Sequence, residues 1–283
     1  MRLSYLGVPY AGWQVQPGQT TVQGELERAL GTLLRTPTPV TGAGRTDAGV
    51  NAHCMVAHFD TADGVDFDGR LLHSLNSMLG PAIAVHEVYD VRPDAHARFD
   101  ATQRAYRYFV TTAKNPFARG LAWQAPPTLD FDAMNEAAAL LLTVSDFTSF
   151  AKLHSDAKTN ICRLDSAAWH RIPADGALGE ADALYVDGGH GEADAINRVP
   201  TSHCREMNSV GGDAWYFEIR ADRFLRNMVR AVVGTLVDVG RGKMSPAAVL
   251  DVAARHDRCA AGTSMPGEPL FLWDIAYPAD IRI

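Results

Sequence analysis

Residues 42–53 read "GAGRTDAGVNAH", with Arg45 and Asp47 one residue apart among three glycines. Glycine adopts backbone angles that other residues avoid and lets a second molecule approach closely. Two chemistries fit this pair. Asp47 could hydrogen-bond its own backbone in a turn. It could instead be a carboxylate kept ionised by a neighbouring arginine and used as a nucleophile or base. Spacing alone leaves both open. A dinucleotide-binding fingerprint does not fit, because Asp47 occupies the third glycine position. "GRGKMS" at 240–245 is not a phosphate loop either. Val237 stands where its first glycine belongs, and Met244 where a hydroxyl would meet magnesium. Cys54, Cys162, Cys204 and Cys259 are scattered without a C-x-x-C pair. They read as reduced thiols, and no metal site is expected.

Arginines cluster in two stretches: Arg98, Arg104 and Arg107, then Arg223, Arg226 and Arg230. Arg226 and Arg230 are four apart in "RFLRNMVRAVVGTLVDVGRG" (223–242), an apolar segment that reads as one helix with both on one face. An arginine embedded among apolar residues needs an anionic partner. The chain's net charge is −7, which argues against a whole-surface nucleic-acid binder. Residues 173–213 hold eight acidic residues against two arginines, a local charge of −6. The remainder is close to neutral, so positive surface is available locally.

The elements that must position these groups follow from periodicity. Helices are predicted over 21–35, 68–79, 130–142 with Asp130 near the cap, and 245–256 with Ser245 as N-cap and Pro246 at the first position. Strands are predicted over 39–44, 53–60, 82–91, 103–112, 163–172, 214–222 and 270–278. In 103–112, Tyr106, Tyr108 and Val110 share a face. The glycine-rich segment 173–213 reads as a long surface loop or hairpin excursion. Trp13 reads as packing, with the rim of a site as the alternative. The expected class is α+β: two α/β-sandwich halves around a shared, largely antiparallel sheet, with the cleft between them. The halves are 1–104, carrying the Asp47 loop, and 105–283, carrying the acidic insertion. With 283 residues and 47% apolar composition the chain can bury a sizeable core. No apolar run reaches the length of a membrane span, and the first residues have no apolar signal core, so a cytoplasmic protein is expected.

Six motifs then carry a resemblance: "YAGWQVQ" (10–16), "TVQGELERAL" (21–30), "GRTDAGV" (44–50), "ARFDATQRAYRY" (97–108), "DFTSF" (146–150) and "FLRNMVR" (224–230). In order and spacing they resemble the tRNA pseudouridine synthase A family over nearly the whole chain. The resemblance implies conversion of uridine to pseudouridine at positions 38–40 of the tRNA anticodon stem-loop, by a homodimer. It places the catalytic aspartate on Asp47, the aromatic platform for the target base on Tyr106 and the arginine paired with the aspartate on Arg230. Arg45 falls on the arginine that handles the RNA and the flipped base. Arg226 and Asn51 are further candidate substrate contacts. Asn51 stands where the family usually has histidine, and Leu6 where it usually has aspartate.

The chemistry suits these residues. The C1′–N1 bond must break, the uracil must turn, and C1′ must join C5. Nothing is oxidised or added, so the implied reaction requires no cofactor. A carboxylate can attack C1′, or assist departure of the base and hold the intermediate. The target base must leave its stack, so an aromatic platform is needed, and C5 must lose a proton, for which Tyr106 is one candidate base. Two other readings stay open. A glycosidase would break the same bond, but generally with two carboxylates. A non-catalytic RNA-binding protein could retain the scaffold.

Overall fold

The computed structural model describes residues 1–62, 65, 69–152, 158–172 and 214–282. The acidic segment 173–213 therefore lies outside the described residues, and with it the reading of a surface excursion. The strands are β1 (Arg2–Tyr5), β2 (Thr41–Gly42), β3 (Asn51–His58), β4 (Ile83–Glu87), β5 (Gln103–Thr111), β6 (Trp123–Gln124), β7 (Leu164–Ile172), β8 (Ala214–Ala221) and β9 (Leu270–Ala276). The helices are α1 (Val22–Leu34), α2 (Gly69–Met78), α3 (Phe131–Leu141), α4 (Met228–Gly240) and α5 (Ala248–Ala254). Among the described residues no helix is long and apolar enough to cross a membrane.

The sheet runs β4-β1-β3-β9-β5-β8-β7, with β2 on β3 and β6 on β5. Every neighbour along that path is antiparallel except β3–β9, a short parallel join of Asn51 to Phe271 and Ala52 to Leu272. The α+β class with a largely antiparallel sheet is thus observed. Side chains alternate across a strand, and β5 shows it. Tyr108 and Val110 enter the core beneath α3, α4 and α5, whereas Phe109 joins a smaller cluster on the opposite face. Leu3, Tyr5, Met55 and Leu272 form a second large core with α1 and α2. Tyr106 packs against both large cores, so it marks the seam between them.

Local sequence explains most elements. Thr21 caps α1 by accepting from the Gly24 N–H, and Val22, Leu26, Ala29 and Leu30 form its buried stripe. Asp130 caps α3 through the Ala133 N–H. The helix expected over 223–242 begins only at Met228. Asn227 takes the left-handed conformation (φ 66°), its side-chain amide donates to Ser264 Oγ at 2.6 Å, and Arg226 O accepts from Lys152 N. Arg223–Asn227 is consequently an irregular bend, and Arg226 precedes the helix that carries Arg230. The last helix starts at Ala248, and Ser245 offers its carbonyl to the Ala248 N–H. β2 is two residues long where six were expected, and β3 opens two residues early, at Asn51.

Arg107 corrects the first arginine cluster. It is 2% exposed, and its guanidinium donates to Glu218 at 2.6–2.7 Å. It lies 4.2 Å over the Trp273 ring and 4.6 Å over Tyr216. Trp273 stacks on His53 (4.2 Å) and Tyr216 on His170 (5.0 Å). A stacked ladder thus crosses five adjacent strands on the face opposite Tyr106.

Candidate active site

The loop from Thr41 to Val50 is fastened from below. Ala43 N donates to Val56 O, Trp13 N to Thr46 O, and Val50 N to Asp47 O. The Tyr5 hydroxyl pairs with Thr46 Oγ1 at 2.8 Å. Gly12 has φ +99°, and a Cβ there would sit 2.6 Å from Thr46 O, so only glycine lets segment 10–13 pass this close. Trp13 is 3% exposed and lies against Gly42, where a Cβ would fall 2.5 Å from the indole. It packs rather than standing at the rim.

Asp47 projects from this loop with 26% of its side chain exposed. Arg226 Nε lies 3.4 Å from Oδ1, and Arg230 Nη1 lies 3.6 Å from Oδ2. Each carboxylate oxygen thus faces its own guanidinium. The two arginines differ in setting. Arg226 is 60% exposed, whereas Arg230 is 23% exposed and its Nε donates to Met265 O. The bend at Asn227 lets residues on either side of a helix start converge on one carboxylate.

Tyr106 stands on β5 beside this group, its ring edge-on to Phe224 at 5.0 Å. Burial pushes its phenol up to about 12; Arg104 opposes the shift and Asp47 adds to it. It is a neutral phenol at ordinary pH. Tyr108, two residues on, is fully buried, and its hydroxyl finds no partner among the described residues. The structure separates the two tyrosines: Tyr106 faces the seam and Tyr108 belongs to the core. Arg45 is exposed on the loop, two residues from Asp47.

Asn51 is not placed as a substrate contact. It is fully buried; its Oδ1 accepts from Gly7 N at 2.8 Å and its Nδ2 donates to Glu268 O at 2.6 Å. It ties three segments together beneath the Asp47 loop.

Two positioning features escape sequence reading. The first is a strap over residues 261–268. Gly262 packs against Gly234 of α4, where a Cβ on Gly234 would lie 1.9 Å from Thr263 O, and Gly262 N donates to Thr235 Oγ1. Ser264 is held by Asn227 and Arg258, and Met265 by Arg230. Gly267 passes close to Ala48 O, and Glu268 O accepts from Asn51. One strap therefore touches both the Asp47 loop and the Arg230 helix. Its signal is the turn-rich "GTSMPGEP", which names no partner. The second feature is Arg104. Its guanidinium donates to Ala43 O, Arg98 O, Ala101 O and Asp222 O, joining the base of the Asp47 loop to β8.

Among the described residues, a mixed sheet packed with five α-helices, with an aspartate at its seam between two arginines and beside a tyrosine, defines an α+β protein with a carboxylate-centred candidate site. The family model described as tRNA pseudouridine synthase matches residues 137–278. The tRNA pseudouridine synthase A of Parabacteroides distasonis is 46% identical, over 99% of this chain and 95% of its own. That of Bacteroides thetaiotaomicron is 47% identical, over 99% and 90%, and that of Brevibacillus brevis 36%, over 97% of each. The chain belongs to the tRNA pseudouridine synthase A family.

Proposed function

We propose that this protein isomerises uridine to pseudouridine in tRNA, at positions 38–40 of the anticodon stem-loop, with Asp47 as the reacting carboxylate. The observation that carries the reading is Asp47 held between Arg226 and Arg230 beside Tyr106, in a chain of this family. The target uridine leaves its stack and lies against Tyr106. Asp47 engages C1′ as the C1′–N1 bond breaks and N1 leaves with the electron pair; the uracil turns, C5 bonds C1′ (releasing the Asp47 carboxylate on the attack route), C5 loses its proton and N1 takes one up, so the product is an isomer of the substrate. The two guanidiniums hold the carboxylate in place and accept its changing charge. Tyr106 as a phenol near 12 is not a ready-made base. It takes up a proton only while passing its own to a neighbour.

Arg45 handles the displaced base and RNA backbone, as a cation that positions without reading sequence. The two halves, 1–104 and 105–283, meet at the cleft. The working form is a homodimer in the cytoplasm that needs neither metal nor cofactor. Pseudouridine mapping on unmodified tRNA transcripts, with wild type and Asp47→Asn and no added metal, tests the reading. Pseudouridine in the anticodon arm from wild type alone is the expected result. Release of free uracil would move the assignment to a glycosidase. Tight tRNA binding without any product would move it to a non-catalytic RNA-binding protein.

A further inference from the structure

The turn at residues 96–100 is built more tightly than its exposure calls for. His96 N donates to Asp100 Oδ2 at 2.7 Å, and Asp100 N returns to His96 O at 3.1 Å. Arg98 N and Phe99 N both donate to His96 Nδ1, and Ala97 N donates to His58 Nδ1. All five backbone N–H groups of the turn are thereby satisfied. On the acceptor side, Ala97 O takes the Tyr277 hydroxyl and Arg98 O takes Arg104. What this framework presents to solvent is Phe99, 75% exposed. Its ring rests on His96 with centroids 4.2 Å apart, and the Arg98 guanidinium lies 5.9 Å from its centroid.

A lone exposed apolar side chain needs no explanation. A rigidly mounted one beside a cation, bolted to the catalytic loop, does. Arg104 makes that bolt: the same guanidinium nitrogen donates to Arg98 O and to Ala43 O, four residues before Asp47. Arg104 also precedes Tyr106 by two residues on β5. An aromatic face with an adjacent guanidinium is the chemistry that holds an unpaired nucleobase, since every base has a π-face and the cation meets the phosphate chain.

We propose that Phe99, flanked by Arg98, is a stacking platform for an unpaired base of the RNA substrate, next to the nucleotide that enters the cleft. This rests on the tRNA reading above and adds a substrate-binding residue to it. Isomerisation kinetics with Phe99→Ala and Phe99→Trp test it, together with the affinity of a labelled anticodon stem-loop and of a blunt duplex. Phe99→Ala is expected to raise KM and the stem-loop Kd about tenfold while kcat moves less than about threefold. Phe99→Trp restores both, and duplex affinity stays level. Unchanged stem-loop affinity in Phe99→Ala, or an equal loss on duplex and stem-loop, overturns the proposal. Loss of self-association with unchanged RNA affinity would assign Phe99 to a protein contact and also overturn it. Failure of the isomerase reading shows separately, as a wild-type protein that makes no pseudouridine, and the affinity comparison still decides Phe99.

Discussion

Asp47 is approached by two guanidiniums at similar distances, but they should not contribute equally. Arg226 is mostly in water, and exposed ion pairs are worth ~0–1 kcal/mol and are screened by salt. Arg230 is shielded and fixed by Met265 O. Arg230→Gln should therefore lower kcat by about a hundredfold, and Arg226→Gln by about tenfold or less. Raising salt should narrow the gap between wild type and the Arg226 variant and leave the Arg230 deficit in place; single-turnover rates at two ionic strengths check this. Tyr106 makes a pH prediction. Its phenol stays protonated until pH approaches about 12, so its ionisation should put no break in the rate between pH 6 and 10. A pH–rate profile from pH 6 to 10 tests that. A fall near pH 10 tied to Tyr106 would mean that burial does not hold it neutral.

At the level of elements, the buried Arg107–Glu218 pair sits in the ladder opposite the site. Removing one partner of a buried pair strands the other, at a cost of about 3–5 kcal/mol. Here Arg220 also reaches Glu218, at 2.8 Å, so Arg107→Met should lose toward the lower figure in urea unfolding. Ile172 and Ala214 are directly paired at the end of the β7–β8 ladder. Replacing residues 173–213 with a short turn should therefore leave the sheet and tRNA affinity intact. A large change in affinity would connect that segment to the RNA. Legibility divides along similar lines. Helices α1 and α3 were readable because Thr21 and Asp130 cap them locally. The start of α4 was not, because Asn227 takes its conformation from a contact with Ser264, 37 residues away. The pairing of Asp47 with Arg230 came only through the family resemblance, since no periodicity joins residues so far apart. The tie made by Asn51 was not legible, because it depends on Gly7 and Glu268, 44 and 217 residues away. A sequence names the polar side chain but not what buries it.

For the molecule as a whole, burial raises the phenol pKa of Tyr5, Tyr106, Tyr108 and Tyr277. The unfolded chain ionises such groups near pH 10 and the native state does not. Above that pH the unfolded state binds fewer protons, so stability falls as pH rises. Burial also raises the Cys54 and Cys162 thiols, to about 12 and about 11, so the decline should begin near pH 9, where unfolded thiols ionise, and steepen above pH 10. Tyrosine absorbance should show these phenols titrating only when the fold opens; early titration of all eight tyrosines would contradict it.

The placement of β9 has a consequence for how the protein is made. It follows every other described strand in sequence, yet it lies between β3 and β5 at the middle of the sheet, directly after the strap that holds Arg230 and supports the Asp47 loop. Synthesis proceeds at about 5–20 residues per second, so β1, β3 and β5 emerge many seconds before their central neighbour. Until residue 276 clears the ribosome, the inner edges of β3 and β5 lack their partner and the two cores have no join. Nascent chains should consequently be inactive toward RNA and dependent on chaperones, and activity should switch on only after β9 is free to pair.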